Sequence, residues 1–161
     1  MNQLWAPWRG VYIETPKPDG RCLFCAAREG VLEDGRVLHN GQTSVVMMNK
    51  YPYNSGHLLI APARHVGLFE GLTDEEGADS HRLIRHCVMA LTALFKPDGF
   101  NIGMNIGRAA GAGIDGHLHA HVVPRWNGDV NFLPVLADVK VMPQHIEEIY
   151  GKLKPYFDKI D

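Results

Sequence analysis

The sequence predicts an α+β domain in which β-strands and two amphipathic helices follow one another along the chain. Three observations lead to this expectation: an apolar hairpin at 43–62, a capped helix that begins near Thr73, and a histidine-rich strand near residue 120. With 161 residues, of which 45% are hydrophobic, the chain is long enough to bury one core, and 1–161 is interpreted as a single domain. Residues 1–21 show no clear period, which predicts an irregular lead-in segment whose tryptophans at positions 5 and 8 pack on the domain or on a partner subunit.

Composition excludes several classes of protein. The net charge of -2 and the absence of a lysine or arginine run argue against a nucleic-acid partner. The apolar runs are too short for a transmembrane helix, and the first residues lack the basic and apolar regions of a signal peptide. Three cysteines are too few for a secreted disulfide framework. These observations predict a cytoplasmic protein without a membrane partner.

The first predicted strands form a hairpin. Residues 43–49 (TSVVMMN) are a β-branched, apolar run, and residues 57–62 (HLLIAP) are the expected partner strand. The segment between them, 51–56 (YPYNSG), contains the proline, asparagine and glycine that are typical of a turn.

Two helices are predicted, one in the middle of the chain and one near its end. Thr73 and Glu76 have the spacing of a capping box, and residues 97–99 (PDG) end the helix that follows. Its apolar stripe recurs at helical spacing and consists of Leu83, Cys87, Leu91 and Leu94. Residues 143–159 predict the closing helix, with Ile146, Ile149, Tyr150 and Leu153 facing inward. Pro155 is expected to kink this helix or to end it early.

Two further strands flank a loop of small residues. Residues 100–106 alternate between an apolar side and a polar side that carries Asn101, Gly103 and Asn105, which predicts a half-buried strand with a polar working face. Residues 108–116 are rich in glycine and alanine, and residues 117–123 (HLHAHVV) predict the next strand. Because side chains two positions apart share a face of a strand, His117, His119 and His121 should point the same way.

Three interpretations of this histidine row are open: a solvated polar face, a metal site, and a nucleophile with two helpers. Histidine is rare, so chance is the weakest of them. A loop of small residues can bring backbone N–H groups close to a phosphate, and Gly111, Ala112 and Gly113 precede the row. A neutral imidazole is a good nucleophile near pH 7, so attack on a phosphate through a nucleotidyl-histidine is chemically coherent.

The segment HLHAHVV resembles the His-φ-His-φ-His-φ-φ signature of the histidine-triad family of nucleotide hydrolases and transferases, where φ is an apolar residue. VVMMNKYPYNSGHLLIAPARH and FNIGMNIGRAAGAG resemble the family's segments before the triad, so the resemblance covers nearly the whole chain. LWAPWR and HVVPRWNGDVNFLPV resemble the branch that acts on diadenosine polyphosphates. The resemblance implies an antiparallel sheet of about five strands, a homodimer, and a nucleotide substrate, with adenosine expected. The acceptor would be phosphate or water, with phosphate slightly favoured.

The resemblance also implies roles for individual residues. His119 would be the nucleophile, with His117 and His121 as its orienting and phosphate-contacting neighbours and His57 near the α-phosphate. Asn49 would hold the ribose hydroxyls, and Asn105 would lie beside the phosphates. Several branches of the family have glutamine or serine in the loop before the triad, where this chain has Ala112 and Gly113. That departure keeps a second hypothesis open, a nucleotide-binding or signalling module with vestigial activity. A third is a metal-dependent hydrolase that uses the histidine row as ligands.

Cys22 and Cys25 form a CxxC pair, for which three interpretations are open: a redox pair, two bare thiols, and half of a zinc site. Zinc needs two more ligands, and His65 and His117 are candidates. Some histidine-triad proteins, and the similar galactose-1-phosphate uridylyltransferases, join a CxxC to such a pair of histidines. The resemblance therefore implies a structural zinc ion, and no organic cofactor is expected.

The remaining aromatic, cationic and histidine side chains have no single predicted role. Trp126 is expected either to stack on an adenine or to pack at the edge of the core, and Arg108 and Arg125 either to meet phosphates or to be solvated. A surface or structural role is predicted for the other histidines: His39 in a turn, His81 and His86 on the first helix, and His145 on the last. Cys87 is expected to be a plain core residue.

Overall fold

The chain folds as an antiparallel sheet with helices on both of its faces. The computed structural model describes residues 20–32, 36–129 and 144–160. The strands are β1 (Val37–Asn40), β2 (Ser44–Met48), β3 (Leu58–Pro62), β4 (Gly99–Met104) and β5 (Ala120–Arg125). They form one five-stranded sheet in the order β1-β2-β3-β5-β4, in which every neighbouring pair is antiparallel. The predicted α+β class and the expected number of strands are confirmed.

Three α-helices accompany the sheet within the described residues: α1 (Leu23–Glu29), α2 (Asp74–Phe95) and α3 (Ile146–Phe157). Short 3-10 turns lie at Phe69–Gly71 and Arg108–Ala110. None of the helices within the described ranges is long and apolar enough to cross a membrane. The predicted lead-in segment 1–21, with both of its tryptophans, lies outside the described residues except for positions 20 and 21.

One face of the sheet packs on α2 and α3 and contains the larger core. The predicted capping box is present, since Glu76 N–H donates to Thr73 Oγ1 over 3.2 Å and Thr73 N–H donates to Glu76 Oε2 over 2.9 Å. The predicted stripe faces the sheet, with Leu83, Cys87 and Leu91 fully buried. Burying such side chains stabilises the fold by roughly 1.5–3 kcal/mol each.

The opposite face is covered at one end by α1, which the sequence reasoning did not predict. Phe24 and Ala27 pack there against Val45, Met47 and Leu59. This short helix ends at Gly30, whose φ of 72° is left-handed and therefore suits glycine. Because α1 covers β2 and β3 on the side that α2 leaves open, both strands are buried along their whole length.

The hairpin has the predicted pairing, with β2 and β3 in the register Val46↔Ile60. β1 was not predicted as a strand and contains His39, which was expected in a turn. β4 ends at Met104, and Ile102 is 47% exposed although it belongs to the apolar side of the strand. The reason is that β4 lies at the edge of the sheet, where among the described strands it has a neighbour on one side only.

Two predicted boundaries were wrong. The regular strand β5 begins at Ala120, so His117 and His119 precede it, because Leu118 N–H bonds to Val66 O outside the strand ladder. Helix α3 includes Pro155 and ends at Phe157, two residues before the predicted end at 159. A proline in the last turn removes only one hydrogen bond, and Asp158 N–H still bonds to Lys154 O. The expected start at 143 lies outside the described residues, and His145 is the N-cap of α3 rather than a helical residue.

Candidate active site and metal centre

The histidines of the row lie on the face of the sheet opposite α2, at the point where α1 stops covering it. The register pairs His121 with Leu59 of β3 on one side and with Gly103 of β4 on the other. The predicted polar side of β4 therefore shares its face with His121. A Cβ atom at Gly103 would meet no atom of the described residues within 4 Å, so the described part of the chain leaves this part of the sheet open.

His119 is buried, with 5% of its surface exposed. Its Nδ1 lies 2.9 Å from the backbone oxygen of His117, and because a carbonyl oxygen only accepts, this nitrogen must carry the proton. The lone pair of the neutral ring is therefore on Nε2. Burial lowers the pKa of His119 below its ordinary value, which favours the neutral form. The ring of Phe24 packs against it at a centroid distance of 4.9 Å.

His57 and His121 form a hydrogen-bonded pair beside His119. His57 Nε2 lies 2.9 Å from His121 Nδ1, and His57 Nδ1 accepts from Tyr53 N–H over 3.0 Å. Because a backbone N–H only donates, the proton of neutral His57 is on Nε2, which donates to His121. Neutral His121 then carries its own proton on Nε2. The rings of His119 and His121 meet edge to face at 4.9 Å.

The two asparagines named from the resemblance lie next to these histidines. Asn49 N–H bonds to His57 O, and Asn49 Nδ2 lies 3.3 Å from His57 Nδ1. Its Oδ1 accepts from Tyr51 N–H over 2.9 Å. Extending the β4–β5 register by one residue beyond Met104↔Ala120 places Asn105 opposite His119. Both asparagines are partly exposed.

The loop 108–116 differs from the expected cradle of free backbone N–H groups. The amides of Ala110 and Ala112 donate to Gly107 O, and the amide of Gly111 donates to Arg108 O. These three groups close the 3-10 turn instead of facing outward, which corrects the expectation for Gly111 and Ala112. No described contact assigns a role to Gly113.

Three other candidates are engaged in local contacts. Arg108 pairs with Asp115 at 2.7 Å, and Arg125 pairs with Asp129 at 2.6 Å. Trp126 Nε1–H donates to Phe95 O over 3.3 Å, next to the end of α2. At about 3.3 Å per residue, Trp126 lies roughly 23 Å along the strand from His119. Within one chain this placement favours packing at the edge of the core over stacking on an adenine at the histidines.

A second cluster lies on the other side of His117. Cys22, Cys25, His65 and His117 each have one ligand atom, and these four atoms lie within 4.8 Å of one another. Cys22 Sγ is 3.2 Å from His117 Nδ1, and Cys25 Sγ is 3.2 Å from His65 Nδ1. Two thiols and two imidazoles at these separations suit tetrahedral zinc. The predicted set of four therefore meets in space.

The acidity of Cys22 also suits a metal ligand. Burial alone would raise its pKa, but the contact with His117 and hydrogen bonds from the backbone of Cys25 and Phe24 outweigh burial and lower the pKa to about 6. Burial and the neighbouring Cys22 raise the pKa of Cys25. One thiolate thus forms readily, whereas the second needs a cation nearby.

His117 belongs to both groups. Its ring is fully buried, with Nδ1 facing Cys22 and Nε2 lying 2.9 Å from Pro62 O, to which it donates. Its backbone oxygen accepts a hydrogen bond from Nδ1–H of His119. The interpretation in which all three row histidines hold one ion receives no support, because Nδ1 of His117 faces Cys22 and its Nε2 donates to Pro62 O, which leaves this ring no nitrogen for the other two histidines.

The fold and the row of alternate histidines define a class of α+β proteins with an imidazole-lined face. The chain belongs to the HIT domain family, whose family model matches residues 31–128. It is 36% identical over 156 residues to the AP-4-A phosphorylase of Mycobacterium tuberculosis, covering 92% of this chain and 80% of that protein. A bis(5'-nucleosyl)-tetraphosphatase (asymmetrical) of Schizosaccharomyces pombe is 30% identical over 94 residues, covering 58% of this chain and 51% of that protein.

A solved structure gives the same result for the fold. The zinc-bound histidine triad family protein from Mycobacterium smegmatis superimposes with a TM-score of 0.69 at 25% identity, covering 86% of this chain and 94% of that one. The suspected family is thereby confirmed.

Sequence reasoning missed two aromatic residues of the site. Phe24, inside the CxxC, contacts the rings of both His117 and His119. Tyr53, in the hairpin turn, contacts both His57 and His121. Each is a single aromatic residue within a motif that already had an interpretation, so no periodic signal marked it.

Proposed function

We propose that the protein cleaves a dinucleoside polyphosphate, of which diadenosine tetraphosphate is the type, through a covalent nucleotidyl-histidine on His119. The observation that carries this proposal is the buried imidazole whose Nδ1–H is committed to His117 O, so that the lone pair lies on Nε2. A nucleophile held in one tautomer needs no base to activate it. The similarity to the mycobacterial AP-4-A phosphorylase supports the choice of substrate.

In the first step, Nε2 of His119 attacks the α-phosphorus. The bond from phosphorus to the bridging oxygen breaks, ATP leaves, and AMP stays on the ring through a P–N bond. The ring becomes cationic, and the hydrogen bond from Nδ1 to His117 O stabilises that charge. His121 Nε2–H is the donor for the phosphate or for the leaving oxygen, and Asn105 lies beside the phosphates.

In the second step, an acceptor attacks the same phosphorus and the P–N bond breaks, which regenerates neutral His119. Inorganic phosphate as acceptor gives ADP, so that the sum is diadenosine tetraphosphate plus phosphate to ADP plus ATP. Water as acceptor gives AMP instead. We propose phosphate as the acceptor, supported by the same mycobacterial relative. Asn49 would hold the ribose, because it lies next to His57 at the end of β2.

We also propose that Cys22, Cys25, His65 and His117 hold one structural zinc ion. The convergence of the four ligand atoms and the zinc-bound mycobacterial neighbour support this assignment. Four protein ligands leave no open position, so the ion would join α1 to the triad without taking part in the reaction. Reduced thiols persist in a reducing compartment, which agrees with a cytoplasmic location.

A homodimer is the assembly we propose, with β4 at its interface. Among the described strands β4 lies at the edge, and Ile102 within it and Ile106 just after it are about half exposed. An edge strand with exposed apolar side chains is a template for pairing with another strand. Light scattering at micromolar concentration should give twice the chain mass, and Ile102→Lys should give monomers. A wild-type monomer would contradict this proposal.

The test of the activity is incubation with diadenosine tetraphosphate, with and without inorganic phosphate, followed by separation of the nucleotides. ADP plus ATP is expected with phosphate, and slower AMP plus ATP without it. Substrate labelled at the α-phosphate should leave label on denatured protein, and the label should be absent in His119→Ala. If AMP is the only product besides ATP both with and without inorganic phosphate, phosphorolysis is contradicted. Nucleotide binding without any turnover over hours would favour the vestigial binding module.

A further inference from the structure

Tyr53 is the residue of the hairpin turn that contacts both members of the His57–His121 pair. Its ring lies nearly parallel to the imidazole of His121, with centroids 5.6 Å apart and 20° between the planes. The same ring is tilted against His57 at 4.6 Å. Its backbone N–H donates to His57 Nδ1. One residue thus determines the tautomer of the first imidazole and covers the face of the second.

The turn that holds Tyr53 is itself fixed from two sides. Asn54 Nδ2 donates to Pro124 O over 3.1 Å and to Asp129 Oδ2 over 2.8 Å, which attaches the turn to the end of β5. Gly56 has a φ of 77°, and a Cβ atom there would lie 2.9 Å from Leu91 Cδ2 of α2. The turn therefore has little freedom to move away from the histidines.

We propose that Tyr53 is a positioning residue for His121, an assignment that rests on the proposed function. The donor chain runs from Tyr53 N–H to His57 and from His57 to His121, so that His121 keeps its proton on Nε2. If the His121 ring rotates, the hydrogen bond from His57 breaks and the second tautomer becomes accessible. The Tyr53 ring blocks that rotation by stacking on one face of His121, which also has an edge-to-face contact with the ring of His119.

The contacts that carry the proposal are made by the ring of Tyr53, and this determines the variants. Tyr53→Phe retains the stacked ring, Tyr53→Leu retains bulk without a flat face, and Tyr53→Ala removes both. All three retain the backbone N–H that bonds to His57. Tyr156→Leu is the matched control, since Tyr156 is an exposed tyrosine on α3. Thermal unfolding of each variant checks that it is folded.

The first readout is independent of turnover: the imidazole nitrogen signals of the ligand-free, nitrogen-15-labelled protein. Wild type, Tyr53→Phe and Tyr156→Leu should show His121 in the Nε2–H form alone. Tyr53→Leu and Tyr53→Ala should show both tautomers in exchange. Unchanged His121 signals in both of these variants would overturn the proposal, and this holds even if the wild-type protein proves to have no activity on dinucleotides.

The second readout is the division of the kinetic effect between kcat and KM. Tyr53→Ala and Tyr53→Leu should lower kcat about three- to tenfold with KM changed less than twofold, the size expected from loss of one aromatic contact. Tyr53→Phe should stay within about twofold of wild type. A rise in KM at constant kcat would mean that Tyr53 contacts the substrate directly, which overturns a positioning role. An equal loss in Tyr53→Phe would assign the effect to the hydroxyl and overturn it as well.

Discussion

Two groups of histidines meet at His117 and differ in what their nitrogen atoms face. In the metal cluster (Cys22, Cys25, His65 and His117), the Nδ1 atoms of both histidines face sulfur atoms. In the reactive group (His57, His119 and His121), each described contact of a ring nitrogen is to a backbone group or to another side chain of the site. The difference shows that neighbours rather than residue type decide which nitrogen of each imidazole carries the proton and what the other nitrogen faces.

The two groups are also anchored by different ion pairs. On the side of the metal cluster, Arg64 next to His65 pairs with Glu76 at 2.8 Å, within the N-terminal cap of α2. On the side of the reactive group, Asp129 binds both Arg125 and Asn54, and through Asn54 it holds the hairpin turn. Four substitutions, taken from the largest expected effect to the smallest, follow. Two replace a residue of one of the groups, and two replace a residue in the contacts that hold a group in place.

Removing the proposed nucleophile should give the largest effect. His119→Ala is expected to lose at least ~10³-fold in kcat, because the covalent intermediate cannot form. Zinc content should remain that of wild type, since Nδ1 of His119 faces a backbone oxygen and not the cluster. Initial rates with diadenosine tetraphosphate measure the loss, with His81→Ala on the exposed side of α2 as the control. Activity close to wild type would sink the assignment of His119.

Removing a ligand of the metal cluster should affect stability first. Wild-type protein prepared without chelators should contain about one zinc per chain, and Cys22→Ser should lose it. Loss of the ion should lower the free energy of unfolding by about 3 kcal/mol, which corresponds to a Tm lower by roughly 10 °C in a domain of this size. Elemental analysis and thermal unfolding provide the two measurements.

Cys87→Ala is the matched control for that experiment. Cys87 is fully buried in the core under α2, and burial raises the pKa of its thiol well above the ordinary range, so it stays a protonated core group. Its substitution should lower Tm through a small cavity while leaving the zinc content unchanged. Zinc-free wild-type protein would refute the cluster as a metal site.

Asp129→Asn tests the anchor of the reactive group and should cost about 1–3 kcal/mol, because Arg125 and Asn54 lose a charged acceptor whose own side chain is only 8% exposed. The hydrogen bond from Arg125 lowers the pKa of Asp129 to about 2. An aspartate with a lowered pKa stabilises the fold at pH values above the pKa of the unfolded chain, near 3.9. That stabilisation is lost as the pH falls towards 2. Urea unfolding at pH 7 should therefore give a lower free energy of unfolding for Asp129→Asn than for wild type. This difference should disappear between about pH 4 and pH 2.

The exposed pair of Lys154 and Asp158 on α3 provides the comparison for Asp129. Asp158→Asn should change the free energy of unfolding by no more than about 0.5 kcal/mol at any pH in that range. If the difference in free energy of unfolding between Asp129→Asn and wild type does not change with pH, the ion pair is not its cause.

Thr73→Ala tests the anchor on the side of the metal cluster and should give the smallest effect, about 1 kcal/mol, through loss of the N-cap. Kinetic constants and zinc content should not change, because Arg64 keeps its partner Glu76. Thr92→Ala in the exposed part of the same helix is the control and should be neutral within about 0.5 kcal/mol. A tenfold loss of kcat in Thr73→Ala would mean that the two groups of histidines are coupled through α2.

Much of the fold was predictable, because its strongest elements carry local signals. The hairpin shows apolar runs around a turn, and α2 shows a capping box and a stripe that matches its 22 residues. Helix α1 and strand β1 escaped prediction since they span only seven and four residues, too few for a period to emerge. The exposure of Ile102 could not be predicted either, because edge position depends on strand order rather than on the strand itself.

In the candidate site, too, the residues with a local sequence signal were predicted, and the contacts that depend on tertiary structure were not. The residues of the metal cluster and of the histidine row were named from local motifs and from the family resemblance, and in the structure the four ligand atoms converge. The loop at Gly111 was misjudged, because glycine content indicates freedom of the backbone but not the partner of each N–H group. The amides there bond within the loop.

The sequence by itself determined which chemical groups are present and how they alternate: three histidines two positions apart, a CxxC, and a loop without large side chains. Tertiary structure alone decided what each group faces. Pairing β3 with β5 brings His57, 64 residues away, within 2.9 Å of His121, and α1 carries Cys22 across 95 residues to His117. The physical reason is that tautomer, acidity and ligand geometry depend on distances of a few ångströms, which are set by strand order and packing and not by neighbours in the chain.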